Sequence, residues 1–522
     1  MKGLGSLTRF RTTALAVAFV VSSLGAAGTS PTSSFRAAID PSLRAGEVAL
    51  VHTTAGRAGA LSLKLADLGA VDIETAYAAD TVIARLSSDA LAAIATDPTV
   101  TVAARNIGVI ALDGGRDLEE EDGGAAAPDS AGVNAINGPR AWRESTGKGV
   151  AVALMDSGIA RHTDLPRDTV IARVNFVNDG ATSLDPAGHG THIAGLIAAD
   201  GARFKGVAPD AKLVSLRMLD ANGRGEFRSV VRAFDWVLKY GSRNNIKVLN
   251  LSWGAPQSNS YHSDLLSAMV ESVWFRGIAV VAAAGNGGAA GTITTPGSDP
   301  FIITVGSFDD MGTAAFGDDR RSSFSSQGPT RDGFTKPDVL APGRHVKSLR
   351  AAYSEDDRYI RMTGTSASAG FVSGVAALVA SEHESYSPTK IKGAIVGGAR
   401  RVSGSATPAV DAARSLDAMT TVNAGLAPSR LLLSFLASSG VKLKGHGVTW
   451  EGVTSFLANS GVKLKGHGVT WEGVTWEGVT WEGVTWEGVT WETVTWETVS
   501  WESVSWETVT WEGVAWEKVA NE

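Results

Sequence analysis

Val150-Ala151-Val152-Ala153-Leu154-Met155 is an unbroken apolar run that leads straight into Asp156-Ser157-Gly158. A strand with one wet face alternates polar and apolar residues, so a continuous apolar run predicts a strand covered on both faces, as in a parallel sheet. The same signature recurs at residues 212–216, 248–251, 278–283 and 301–305, with amphipathic helical stretches at 191–199, 227–240 and 265–275 between them. This alternation over residues 131–420 predicts an α/β domain built on a doubly wound, mostly parallel sheet.

Ligands bind such sheets beyond the carboxyl ends of the strands. The predicted strands end in Asp156-Ser157-Gly158, Ser252-Trp253-Gly254 and Ala284-Gly285-Asn286, which brings a carboxylate, an amide and glycine turns to one edge. Two predicted helix starts face the same edge, Gly188-His189-Gly190-Thr191-His192 and Gly364-Thr365-Ser366-Ala367-Ser368. Serine in the first turn of a helix lies among free N–H groups that favour negative charge. Gly370, Gly374 and Ala377 follow at helical spacing and would let that helix pack closely into a core. Acyl transfer needs these residue types together. A serine hydroxyl is a weak nucleophile until an imidazole takes its proton, and a buried carboxylate fixes the tautomer of that imidazole. A tetrahedral intermediate needs donors aimed at its oxyanion. Ser366, His189 and Asp156 are the candidates for the first set, and Asn286 with the Ser366 backbone N–H for the second.

Four strings carry a family resemblance: Met155-Asp156-Ser157-Gly158-Ile159, His189-Gly190-Thr191-His192-Ile193-Ala194-Gly195, Ala283-Ala284-Gly285-Asn286 and Gly364-Thr365-Ser366-Ala367. In sequence, order and spacing the chain resembles the subtilases, and the resemblance implies a serine endopeptidase acting on polypeptides with no cofactor needed for chemistry. It further implies that the segments around Gly223 and Gly225, and around Ser252, Trp253 and Gly254, sandwich an extended substrate. Asp164 resembles a calcium ligand of some subtilases, but the loop 200–205 that would complete such a site is short. A structural calcium ion and a solvated aspartate are therefore both open there. His192 and Ser368 read as structural. The chain departs from the family after the nucleophile, where Ala367, Gly370 and Phe371 stand in place of methionine, proline and histidine.

The rest of the 522 residues divides by composition. Lys2, Arg9 and Arg11 precede an apolar run over 14–24 and then Gly25-Ala26-Ala27, the pattern of a signal peptide over residues 1–28. The run is shorter than the ~20 apolar residues that span a bilayer, so a secreted protein is expected. Residues 45–112 alternate extended runs with alanine- and leucine-rich stretches, which suggests a small α+β module; it resembles the propeptide that chaperones and inhibits subtilases intramolecularly. Residues 113–130, with Glu119-Glu120-Glu121-Asp122, cannot bury enough apolar area to order themselves, so an exposed acidic linker is expected, with propeptide cleavage inside it.

Residues 434–454 and 455–475 are two copies of one unit differing only at Ser438 and Asn459, and tryptophan then recurs at every fifth position from Trp471 to Trp516. His446 and His467 occupy one repeat position and read as non-ligands. Five residues per repeat fits neither a helical stripe nor one face of a strand. One reading of residues 434–522 is a solenoid presenting tryptophan to glycans or a cell surface, the other a low-complexity segment kept soluble by glutamate. Eleven glutamates and one lysine between Trp471 and Glu522 account for more than the whole formal charge of −7, so the body is near neutral and has no nucleic-acid footprint. The absence of cysteine excludes disulfides and thiolate sites.

Overall fold

The continuous runs of valine, alanine and leucine singled out above hide their side chains inside a layered sheet. The computed structural model describes residues 38–54, 56–113, 116–117, 131–257, 259–354, 357–429 and 431–432, with short strand segments between 469 and 521. The expected signal peptide, most of the acidic linker and the repeat units up to residue 468, with His446 and His467, lie outside the described residues.

The central sheet has the order Arg320–Arg321, Ile303–Asp309, Ala279–Ala283, Ile246–Leu251, Ala151–Asp156, Lys212–Arg217, Val170–Asn175, with Val339–Pro342 also pairing Ile303–Asp309. All pairs are parallel except the short Arg320–Arg321 edge. The expected α/β architecture is therefore present. The chain starts in the middle of the sheet, at Ala151–Asp156, builds outward through Val170–Asn175 and Lys212–Arg217, then crosses to Ile246–Leu251 on the other side. That reversal is the switch point at which doubly wound sheets form their crevice, and Asp156 stands at its lip.

Two helices run through the core beside this point. His189–Ala198 is buried along its whole length, and Thr365–Glu382 is buried from Thr365 to Ala380. Glycine lets the second helix pack closely: a Cβ on Gly370 would lie 3.2 Å from Ile193 Cγ2 of the first helix, and one on Gly374 would lie 2.5 Å from Cβ of Val207 in the loop that follows it. Gly370 thus permits close helix packing, and the Phe371 ring fills the space where Gly132 has no side chain.

Residues 38–105 form a second sheet in the order Ala38–Ile39, Val100–Arg105, Val48–Thr53, Thr81–Arg85, Val71–Ala76, covered by helices Ala58–Asp67 and Ser88–Ile94. It has its own core around Leu50's neighbours Ala49 and Val51 with Leu61, Leu65, Val82 and Ile94. This module sits on helix Phe227–Tyr240 of the larger domain. Glu74 makes a two-pronged ion pair with Arg232, and the Ala79 N–H donates to Asp235 at 3.2 Å. The two residues that follow the module cap that helix from outside: Ile107 carbonyl accepts from Phe227 N–H at 2.9 Å and Asn106 Oδ1 from Arg228 N–H at 3.0 Å, while Glu226 at the N-cap makes no side-chain cap of its own.

In the tail, three-residue strands such as Thr475–Glu477 pair in parallel with strands twenty residues on, Trp476 opposite Trp496 and Trp496 opposite Trp516. Four pentads thus complete one turn of stacked strands. Among the described residues no helix is long and apolar enough to cross a membrane.

Candidate active site

Asp156 ends its strand 1% exposed, and its Oδ1 accepts from His189 Nδ1 at 2.8 Å and from Ser157 N–H at 2.7 Å. The carboxylate partner makes Nδ1 the protonated nitrogen and leaves Nε2 as the base, and Nε2 has no hydrogen-bond partner. His189 is the first residue of its helix, and glycine brings that helix onto the Asp156 turn. A Cβ on Gly190 would fall 2.1 Å from Gly158 carbonyl and 3.1 Å from Asp156 Oδ1, and Gly158 itself has φ +120°. Burial alone would push the imidazole down, but the charge and hydrogen bond of Asp156, helped by Asp113 and Asp185, hold it up at about 9.

Asp185 was not foreseen from the sequence. Its buried carboxylate accepts from Gly188 N–H at 2.8 Å, Thr191 N–H at 2.7 Å and Thr191 Oγ1 at 2.5 Å, which caps the His189 helix. It also takes the Ser157 hydroxyl at 2.7 Å, so the turn carrying Asp156 and the helix carrying His189 are fastened to one group. An aspartate four residues ahead of a histidine at a helix start is the signal that could have pointed to it.

Ser366 lies in the first turn of Thr365–Glu382, 2% exposed. Its hydroxyl donates to Ser252 carbonyl at 3.0 Å, and the Ser252 hydroxyl returns a bond to Ser366 carbonyl at 3.0 Å. Asn286 is held by Thr365, whose N–H and hydroxyl both donate to Asn286 Oδ1, at 3.0 and 2.9 Å. Both donors on one side of the amide force its NH2 the other way. There Nδ2 donates to the carbonyl of Leu112 at 2.8 Å, and Ser366 N–H reaches the same oxygen at 3.3 Å. The two donors expected at an oxyanion therefore converge on one carbonyl of this same chain.

The approach to that carbonyl uses the remaining candidates. Gly108–Ala111 forms the middle strand of an antiparallel ribbon, with Gly225 opposite Val109 and Arg224 opposite Ile110 on one side, Trp253 opposite Ala111 and Gly254 opposite Ile110 on the other. Gly223 carbonyl accepts from Ala111 N–H at 2.8 Å and Ser252 carbonyl from Leu112 N–H at 3.1 Å. Glycine keeps the walls close: a Cβ on Gly223 would lie 3.3 Å from Ala111 Cβ, and one on Gly225 would lie 3.1 Å from Val109 Cγ2. Val109, Ala111 and Leu112 are buried, and Ile110 is 52% exposed.

Other residues from the sequence reading fall outside this centre. His192 is buried with Nε2 on Val346 carbonyl at 2.9 Å, and burial pushes it down to about 4, so it stays neutral and structural. Ser368 hydroxyl donates to the carbonyls of Ala341 and Pro342. Asp164 is buried and accepts the Tyr359 hydroxyl at 2.6 Å. Calcium takes six to eight oxygens, yet among the described residues no three His, Asp or Glu side chains gather.

Known proteins resemble the chain over this same region. It is 38% identical over 267 residues to Serine protease AprX of Bacillus subtilis (strain 168), covering 47% of this chain and 60% of that one. It is 35% identical to M-protease of Shouchella clausii (strain KSM-K16), 50% of this chain and 62% of that one. Against Subtilisin BL of Lederbergia lenta it is 34% identical over 264 residues, 50% of this chain and 87% of that one. The chain thus spans about three fifths of the length of the first two. Residues 147–421, more than half the sequence, match the subtilase family, and the chain belongs to that family.

Proposed function

We propose that this protein is a secreted serine endopeptidase made as a precursor, and that the first bond it cuts is its own Leu112–Asp113 bond. The observation carrying this reading is the Leu112 carbonyl, which lies 2.8 Å from Asn286 Nδ2 and 3.3 Å from Ser366 N–H. The bond so presented is the first of the acidic linker.

The steps follow from the contacts. Ser366 turns its hydroxyl from Ser252 carbonyl to His189 Nε2, gives up the proton and attacks the Leu112 carbonyl carbon. Negative charge collects on the oxygen already facing the Asn286 and Ser366 donors. Asp156 holds the Nδ1–H and stabilises the imidazolium. The imidazolium then protonates the nitrogen of Asp113, which leaves as a new amino terminus. Water, deprotonated by His189, hydrolyses the Leu112 ester and restores Ser366. The released cleft acts on polypeptides in the same way.

Residues 45–112 serve in this reading as chaperone and inhibitor. They supply the caps that helix Phe227–Tyr240 lacks, and they fill the substrate ribbon until removed. The tail belongs to the reading only as a surface or glycan contact; if deleting 434–522 leaves surface retention unchanged, that part is wrong. The central test is Ser366→Ala. The wild-type precursor should shorten to a chain beginning at Asp113 and, once residues 45–112 are degraded, bind a fluorophosphonate probe. The variant should stay full length and unlabelled, and conversion of the purified variant would refute self-processing.

A further inference from the structure

The propeptide chain does not leave the enzyme at the bond it presents. Beyond Leu112, Arg116–Asp117 adds to a two-stranded antiparallel hairpin, Val346–Ser354 with Asp357–Met362, as its third strand. Asp117 stands opposite Arg361, and Arg116 opposite Met362. The hairpin is tied to both reacting groups. Ser348 hydroxyl donates to His192 carbonyl at 2.7 Å, and Val346 carbonyl holds the His192 ring, both on the helix that starts with His189. Met362 lies only two residues before Gly364, the N-cap of the Ser366 helix. A backbone laid along Asp357–Met362 is therefore placed relative to base and nucleophile alike.

A sheet edge offers a row of unpaired backbone groups that any extended segment can complete. Resting on the reading that Leu112–Asp113 is the bond cut, we propose that the Asp357–Met362 edge is a substrate-binding site on the leaving side of that bond. It takes the fourth and fifth residues after the cut as an added antiparallel strand. Its substrates are extended polypeptide segments with at least five residues beyond the scissile bond, and an acidic residue at the fifth is favoured by its place across from Arg361. Main-chain pairing gives the affinity and is indifferent to most side chains, whereas the charge opposite Arg361 gives a modest selectivity. A chain ending two residues after the cut cannot reach this edge.

The test uses the processed enzyme freed of residues 45–112 and internally quenched peptides built on Val-Ile-Ala-Leu-Asp-Gly-Gly-Arg-Asp. One series is truncated after the second residue beyond the cut. A second keeps full length but carries N-methyl groups on the fourth and fifth residues, which removes ladder donors without changing length. A third replaces the final Asp by Lys. Truncation and N-methylation should each lower kcat/KM about ten-fold, the worth of one or two net backbone bonds. The Lys peptide should lose a further few-fold at low salt and recover part of it at high salt. Equal kcat/KM for full-length, truncated and N-methylated peptides, all cut at Leu–Asp, overturns the edge site and leaves the processing reading intact. Cleavage of none of them at Leu–Asp overturns the processing reading, and the edge site with it.

Discussion

Leu112 gives the sharpest handle on the proposed chemistry, because its carbonyl accepts from Asn286 Nδ2 and Ser366 N–H and it is itself only 6% exposed. Replacing it by alanine removes three carbon atoms from a nearly closed pocket. At ~0.8 kcal/mol per buried methylene the loss is about 2 kcal/mol, or roughly 30-fold in a binding constant. With nonapeptides added in trans, Leu→Ala at this position should therefore lower kcat/KM about 30-fold. In the precursor the same segment is tethered, and the flanking strand Gly108–Ala111 keeps its pairing with Arg224–Glu226 and Trp253–Pro256. The effective concentration is then high, so Leu112→Ala should slow self-processing much less than it slows the peptide. Leu112→Asp is different in kind. It asks a carboxylate to enter the pocket without a partner, at a cost of several kcal/mol, and should reduce processing by more than a thousandfold. The assay is a time course of purified precursor followed by intact mass and amino-terminal sequencing. A mature chain starting elsewhere than Asp113, or a Leu112→Asp precursor that converts at the wild-type rate, would show that the carbonyl seen between Asn286 and Ser366 is not the one attacked.

Three further expectations rest on neighbouring contacts. His189 must be neutral to accept the Ser366 proton, so activity rises with pH through its pKa. Asp113 is one of the charges holding the imidazolium up at about 9 in the precursor. Asp113→Asn should lower the midpoint of self-processing and speed conversion at pH 7.5; an unchanged midpoint in a rate-versus-pH series refutes this. Glu74→Gln should weaken rebinding of the separated propeptide about five-fold, because a two-pronged, partly exposed pair with Arg232 is worth roughly 1 kcal/mol and is screened by salt; inhibition constants at two ionic strengths measure it. Asp185→Asn should cut kcat about ten-fold with little change in KM and move the acid limb to lower pH, since one carboxylate near the imidazolium is gone and the His189 helix loses a cap. A rise in KM alone, with an unmoved pH profile, would reduce Asp185 to a purely structural group.

The α/β architecture was legible because strands buried on both faces must be apolar throughout, and the five runs found that way became Ala151–Asp156, Lys212–Arg217, Ile246–Leu251, Ala279–Ala283 and Ile303–Asp309. Val170–Asn175 carries no such run because it is an edge strand in which, after the buried Val170, residues alternate between exposed and half-buried. At the site, Asp156, His189, Asn286 and Ser366 could be singled out because strand ends and helix starts converge there. Thr365 could not, since nothing in its type says that both its donors would orient the Asn286 amide. Gly108–Ala111 is four ordinary residues, and only its two partner strands, over a hundred residues downstream, make it the occupant of the cleft. The tail's five-residue period is plain in the sequence, but identical pentads stack equally well at any multiple, so the twenty-residue pairing register is set by backbone turning and not by residue identity.

One consequence of the ribbon separates cutting from activation. Under the proposed processing, hydrolysis at Leu112 frees Asp113 and the residues beyond it, including the Arg116–Asp117 strand, from the covalent tether. It does not touch the pairing of Gly108–Ala111 on both sides, the caps from Asn106 and Ile107, or the Glu74–Arg232 pair. The cut propeptide therefore keeps nearly every contact that held it before the cut, and it gains a carboxylate facing the donors of Asn286 and Ser366. Those donors favour negative charge, so cleavage should tighten the complex and leave the enzyme inhibited by its own product. Turnover of other substrates then requires a second event that destroys residues 45–112. The exposed side chains Leu63, Val71 and Tyr77 offer a protease in trans places to engage that module. Mixing processed but inhibited enzyme with a trace of free enzyme should accordingly give an accelerating time course of peptide cleavage, with a lag that shortens in proportion to the trace added. A lag independent of that trace would mean that the propeptide simply dissociates, and that the retained contacts are too weak to hold it.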